Sequence, residues 1–174
     1  MTITPNYLTV LRIALIPTGV WALFHSPSAT WQIIAWCIYF TLGMTDILDG
    51  HWARKSNRTT PLGAFLDPVA DKALIGSAMI SLSLLDRFPW WITAVILFRE
   101  IGITIFRLAV IRDGVIPASK GGKIKTLTQN FGVSFYILPL PESLYLLRDG
   151  LMGVAIILTI WTGVDYIYKW KKAR

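Results

Sequence analysis

Cysteine is almost missing from this 174-residue chain: Cys37 is the single copy, so no intrachain disulfide can form. It sits inside an apolar run and is expected to be a small buried hydrophobe rather than a reactive thiol. Charge is sparse too, at 16% of residues against 54% hydrophobic, and the mean hydropathy is positive, which excludes an ordinary soluble domain of this length. Acidic residues are the scarcer sign, 10 against 17 Lys and Arg. The opening MTITPNYLTVLR has no basic stretch followed by a small-residue cleavage site, so neither a removable signal peptide nor a transit peptide is expected. Linkers, internal repeats and low-complexity tracts are also lacking, and a single domain is expected over residues 1–174.

What is present are apolar runs of spanning length. Six can be read, over residues 6–25, 29–48, 66–85, 90–111, 126–147 and 151–170. Each is close to the roughly 20 residues that a helix needs to cross a bilayer. The fifth is the weakest, interrupted by Gln129, Asn130 and the Pro139/Pro141 pair. Trp31, Trp90, Trp91 and Trp170 near the ends of runs fit interfacial anchoring. The expected fold is all-α: an integral membrane bundle of six transmembrane helices with both termini on one side.

The basic residues test that topology. Arg54, Lys55 and Arg58 follow the second run, Arg112, Lys120, Lys123 and Lys125 the fourth, and Lys169, Lys171, Lys172 and Arg174 the sixth. These 11 share one side; Arg87 and Arg148 alone fall on the other. Such a bias puts the 11 and both termini in the cytoplasm. The formal net charge of +7 therefore reports topology and anionic lipid headgroups, and no nucleic-acid partner is expected.

Against this background the stretch 46–71 stands out. Asp46, Asp49, Asp67 and Asp71, four of the 10 acidic residues, are crowded between two apolar runs on the cytoplasmic side. Within each pair the spacing is three or four residues, which on a helix gives one face. A carboxylate cluster beside hydrocarbon is costly unless a cation neutralises it. Mg²⁺ or Mn²⁺ suits such oxygen ligands, with room for two ions, and ions of this kind bind phosphates and neutralise charge developing at phosphorus. For Asp67 alone a plainer reading exists, a helix N-cap with Pro68 at the first position. Capping does not account for the other three.

The stretch DILDGHWARKSNRTTPLGAFLDPVAD carries DxxDGxxAR, then eight residues, then GxxxDxxxD. This pattern resembles that of the CDP-alcohol phosphotransferases at every fixed position. The resemblance implies a membrane enzyme that joins a CDP-activated alcohol to an acceptor hydroxyl and releases CMP. It implies that Asp46, Asp49, Asp67 and Asp71 are metal ligands and that Asp71 is also the general base. Asp46, Asp49, Gly50, Ala53, Arg54, Gly63 and Asp67 are implied to bind the CDP-diacylglycerol donor. Those roles are physically sensible: Gly50 and Ala53 leave space for a flat base, and Arg54 offers a planar fork to a phosphate oxygen.

The acceptor must be read elsewhere. Arg99, Glu100 and Arg107 lie within the apolar fourth run, where ionisable residues are functional candidates, although Glu100 and Arg107 could simply pair along one face. The following SKGGKIKTLTQ combines lysines with two glycines, a composition suited to an anion. PNYLTVLRIALIP, FREIGITIFR and ASKGGKIKTLTQ resemble the branch of the family that makes phosphatidylglycerophosphate from CDP-diacylglycerol and sn-glycerol 3-phosphate. By matching positions, Arg107, Lys123 and Lys125 are implied to hold the acceptor phosphate, with Thr60, Arg99, Arg112 and Ser119 contributing. The resemblance also implies a homodimer, and the small size with no expected transit peptide favours a bacterial cytoplasmic membrane. His25, beside a turn, suits an interfacial place, and His51 fills a free position of the motif; neither is assigned a catalytic role. A phosphatidylglycerol or inositol phosphate acceptor within the same family is the nearest alternative. A small cation or metabolite transporter is more remote, since transport sites are expected near the membrane midplane.

Overall fold

Long apolar runs satisfy their backbone polar groups most completely as helices, and helices are what form. A computed structural model describes residues 5–55, 61–110 and 120–173, with side chains at all of these except 5–8, 46–55, 61–65, 107–110, 120, 123 and 173. The helices are α1 (Pro5–His25), α2 (Ala29–Lys55), α3 (Pro61–Leu84), α4 (Trp90–Val110), α5 (Lys120–Ile137) and α6 (Tyr145–Ala173), with a 3-10 turn at Glu142–Leu144 before the last. Among the described residues there is no strand.

The six runs are recovered, but several ends move. The second helix continues past the expected end at residue 48 to Lys55, so Arg54 and Lys55, expected in the following loop, lie on helical backbone with Asp46 and Asp49. The third opens at Pro61, which leaves Pro68 inside it. Asp67 is therefore not an N-cap, and the capping alternative falls. The fifth helix already includes Lys120 and stops at Ile137. Pro139 and Pro141 lack backbone N–H groups and disfavour helical geometry in the residue before them, so residues 138–141 turn and feed the 3-10 segment.

The turn after α3 is a Schellman motif, in which Arg87 N donates to Leu82 O at 2.9 Å and Asp86 N to Ser83 O at 3.2 Å. Asp86 takes the left-handed conformation, φ 55°, that usually falls to glycine. The Arg87 side chain then reaches across the end of the bundle. Its Nη2 donates to Gln32 Oε1 at 2.9 Å, Tyr136 O at 3.0 Å and Ile137 O at 3.1 Å, so one guanidinium ties the beginning of α2 to the carbonyl end of α5.

Contacts at the other end fix the directions. Thr9, early on α1, bonds Asp67, early on α3; Arg12 Nε donates to Leu42 O, late on α2, at 3.1 Å. The rings of Phe106 and Trp170, late on α4 and α6, meet edge to face at 5.2 Å. Successive helices thus run antiparallel, and the starts of α1, α3 and α5 gather with the ends of α2, α4 and α6.

The α1 helix packs on α2 and α3, and α5 on α6. Small buried residues at the crossings (Ala22, Ala35, Ala78 and Ala155) let the backbones approach. A Cβ at Gly132 would stand 2.8 Å from Met152 Cε, and one at Gly19 would stand 3.0 Å from the Tyr39 ring. Met79, Leu82, Ile96, Ile137 and Met152 fill the interior.

The outside is also apolar: Phe98 is 83% exposed, Leu146 86% and Trp161 71%. Cys37 belongs to this outer surface, contrary to the expected buried place, because its face of α2 points away from the packed helices. Among the described residues one helix, Glu142–Lys172, is long and apolar enough by itself to cross a membrane, and Thr9–His25 is apolar but shorter. The remaining helices carry the charged and amide side chains that concern the site. His25 packs between Trp21 and Trp31, with ring centroids 4.7 and 4.0 Å away, at the α1–α2 turn.

Candidate active site

The motif carboxylates sit at the helix ends gathered around the start of α3. Asp46, Asp49, Gly50, Ala53 and Arg54 lie on the last turns of α2, and Gly63 on the first turn of α3. The side chains of that group lie outside the described ones. Asp67 and Asp71 are one turn apart on α3 and share a face. Asp67 is exposed, and its Oδ1 accepts a hydrogen bond from Thr9 Oγ1 at 2.7 Å. That bond holds one carboxylate oxygen in place and leaves the other oxygen's lone pairs pointing elsewhere. Nothing in the sequence around Thr9 marks it for this part; only the folding of α1 against α3 reveals it.

Among the described residues no three His, Cys, Asp or Glu side chains form a metal-holding group. Asp46 and Asp49, the other half of the expected set, are not among those side chains. The two carboxylates that are described, hard oxygen donors one turn apart with an outer hydrogen bond from a hydroxyl, fit a hard divalent cation in their chemistry.

Asp71 is half-buried and lines a partly open cavity of about 230 Å³ between α3, α4 and α5. Its polar lining is Asp71, Lys72, Glu100, Lys125, Thr126, Gln129 and Asn130. Helical geometry explains the α5 contribution: Lys125 and Gln129 are four apart and project from one face, with Thr126 and Asn130 beside them. Here Lys125, expected in a loop, is a helix residue only 5% exposed. A buried ammonium needs a partner, and Lys125 Nζ donates to Glu100 Oε1. The expected pair of Glu100 with Arg107 involves a side chain outside the described ones; the described partners of Glu100 are Lys125 and Arg99, the latter at 2.9 Å.

Arg99, expected near an acceptor phosphate, is turned to α6. Its Nη2 donates to Thr162 Oγ1 at 2.8 Å, and Gly163 makes room, since a Cβ there would lie 3.2 Å from Arg99 Nε. The guanidinium braces Glu100 and does not line the cavity. Arg107 and Lys123 are on α4 and α5 with undescribed side chains, and Thr60, Arg112 and Ser119 fall wholly outside the described residues.

Next to the polar cavity, and sharing Ile75 and Asn130 with it, runs an apolar cleft of about 80 Å³ between α2, α3 and α5. Phe40, Met44, Leu74, Leu127 and Phe131 line it. A polar chamber holding a carboxylate and a buried ammonium thus adjoins a greasy one, an arrangement suited to a substrate with a charged head and hydrocarbon tails. Gln129 and Asn130, which read in the sequence as interruptions of an apolar run, are the polar floor of the first chamber.

The family model described as CDP-alcohol phosphatidyltransferase matches residues 2–161. A Mycobacterium tuberculosis (strain H37Rv) protein named "Probable phosphatidylglycerophosphate synthase" is 48% identical over 164 residues, covering 93% of this chain and 78% of its own. The CDP-diacylglycerol--glycerol-3-phosphate 3-phosphatidyltransferase of Bacillus subtilis (strain 168) is 37% identical over 180 residues, 95% of this chain and 93% of its own. The protein of that same name from Haemophilus influenzae is 36% identical over 169 residues, 94% and 90% of the two chains.

Proposed function

The chain belongs to the CDP-alcohol phosphatidyltransferase family, and we propose from that premise that it transfers the phosphatidyl group of CDP-diacylglycerol to sn-glycerol 3-phosphate, giving phosphatidylglycerophosphate and CMP. The observation that carries the reading is the meeting of Asp71 with Lys125 across one cavity, beside an apolar cleft. A base for a hydroxyl and a cation for a phosphate are what this acceptor requires, and a cleft for hydrocarbon is what this donor requires.

Glycerol 3-phosphate enters the polar chamber, and its phosphate lies against Lys125, with Arg107 and Lys123 completing the anion site and Thr60, Arg112 and Ser119 at its margin. Arg99 acts through Glu100, holding the carboxylate that orients Lys125. The donor places its acyl chains along the cleft between α2 and α5 and its nucleotide along Gly50, Ala53, Arg54 and Gly63. Asp46, Asp49, Asp67 and Asp71 hold one or two divalent ions, Mg²⁺ or Mn²⁺, which when bound neutralise charge on the diphosphate. Asp71 takes the proton of the primary hydroxyl as its oxygen attacks the phosphorus bearing diacylglycerol. The bond from that phosphorus to the CMP oxygen breaks, and CMP leaves with the electron pair. One direct displacement suffices.

The six helices span a bacterial cytoplasmic membrane as one domain with both termini in the cytoplasm, as the sequence's 11-to-2 distribution of basic residues and the apolar exterior support. Membrane lipids surround it, and the proposed assembly is a homodimer. The test is an acceptor screen with purified protein and CDP-diacylglycerol. CMP release is expected with glycerol 3-phosphate; release with inositol phosphate or phosphatidylglycerol in its place overturns the acceptor.

A further inference from the structure

Lys72, Thr126, Gln129 and Asn130 line the polar chamber without a part in the proposed displacement, and of these Gln129 is the most buried. Gln129 is 4% exposed, lines the chamber with Asp71 and Lys125, and its Oε1 is buried with no hydrogen-bond partner among the described residues. A buried carboxamide oxygen without a donor destabilises the fold and calls for a group that brings one. Asn130 Oδ1, at the border of chamber and cleft, is in the same condition. Both orphaned acceptors belong to residues that line the chamber, next to each other on α5.

The position of Gln129 says which hydroxyl. It stands one turn beyond Lys125, about 6 Å along the helix axis, a separation that a three-carbon phosphate ester can bridge. With the acceptor phosphate on Lys125 and the reacting primary hydroxyl at Asp71, the remaining polar group of the molecule is its secondary hydroxyl. We propose that Gln129 is a specificity-determining residue whose Oε1 accepts a hydrogen bond from the secondary, non-reacting hydroxyl of glycerol 3-phosphate. The inference rests on the acceptor reading above and adds to it a reason why a bare hydroxyalkyl phosphate is a poor substitute. A site built to bond a hydroxyl discriminates against the analogue lacking it, because the protein group is then left unpaired.

The experiment compares kcat/KM for glycerol 3-phosphate with kcat/KM for 3-hydroxypropyl phosphate, which lacks the secondary hydroxyl. The enzyme as it stands is expected to prefer glycerol 3-phosphate roughly tenfold or more, the worth of one buried hydrogen bond. Gln129→Met keeps the length without polar atoms and is expected to bring the two values within about threefold, by lowering the value for glycerol 3-phosphate and sparing the analogue. Gln129→Leu is the alternative should the Met variant not fold. A uniform fall for both acceptors in the variant, or no preference in the unmodified enzyme, overturns the inference while the acceptor reading stands. No CMP release with glycerol 3-phosphate overturns both.

Discussion

Lys125 donates to Glu100 from a side chain that is 5% exposed, and Arg99 approaches the same carboxylate oxygen at 2.9 Å. Two cations share one carboxylate, so the group keeps a surplus positive charge at the edge of the chamber. Glu100 thereby lets an ammonium sit buried at the chamber wall without its charge being fully cancelled, as the proposed anion site requires.

Removing that carboxylate should be costly in two ways. Glu100→Ala leaves two buried cations without their counter-ion and is expected to lose roughly 3 kcal/mol of stability. Thermal unfolding in detergent measures it. An unfolding temperature equal to that of the unmodified protein would show that solvent already screens the pair.

Taking away the ammonium instead tests binding. Lys125→Ala should raise KM for glycerol 3-phosphate roughly tenfold or more and change kcat less, since the phosphate is held in ground and transition states alike. Steady-state CMP release at varied acceptor concentration gives both constants. A rise confined to kcat removes Lys125 from the anion site.

At the other wall of the chamber, Asp71→Asn should abolish turnover, a loss of at least about 10²-fold, while CDP-diacylglycerol still binds. Donor binding is followed separately from turnover in the same preparation. Substantial residual activity excludes Asp71 as the base.

Thr9 offers a subtler lever on the metal. Thr9→Val keeps the shape and loses the 2.7 Å bond to Asp67, so the divalent-ion concentration for half-maximal activity should rise on the order of tenfold with little change at saturation. Chelation of divalent ions should stop CMP release altogether, and Mg²⁺ or Mn²⁺ should restore it. An unchanged ion requirement in the Thr9 variant means that Asp67 is oriented without its help.

Much of this architecture is legible in the amino-acid order, because spanning-length apolar runs have few ways to satisfy their backbones, and six runs become six helices. Helix ends were harder: Pro68 marks a beginning in many helices but lies inside α3, and the fifth run is cut at Ile137 by prolines near its middle. That Asp71 and Lys125 line one cavity is a matter of tertiary packing, since 54 positions separate them in the chain. Facing direction escapes too. Cys37 turns outward and Gln129 inward for reasons set by neighbouring helices, and Thr9 joins the site only because α1 crosses α3 at Asp67.

The guanidinium of Arg87 sits at the far end from the proposed site, yet it sets a datum for it. By tying the turn after α3 to the last carbonyls of α5, it gauges how far those two rods are slid past one another. The opposing chemical groups, Asp71 on one rod and Lys125 on the other, inherit that alignment over nearly the full height of the bundle. A slip of a single residue is about 1.5 Å along the axis, enough to spoil an in-line attack. Accuracy at one face of the molecule is thus calibrated at the opposite one.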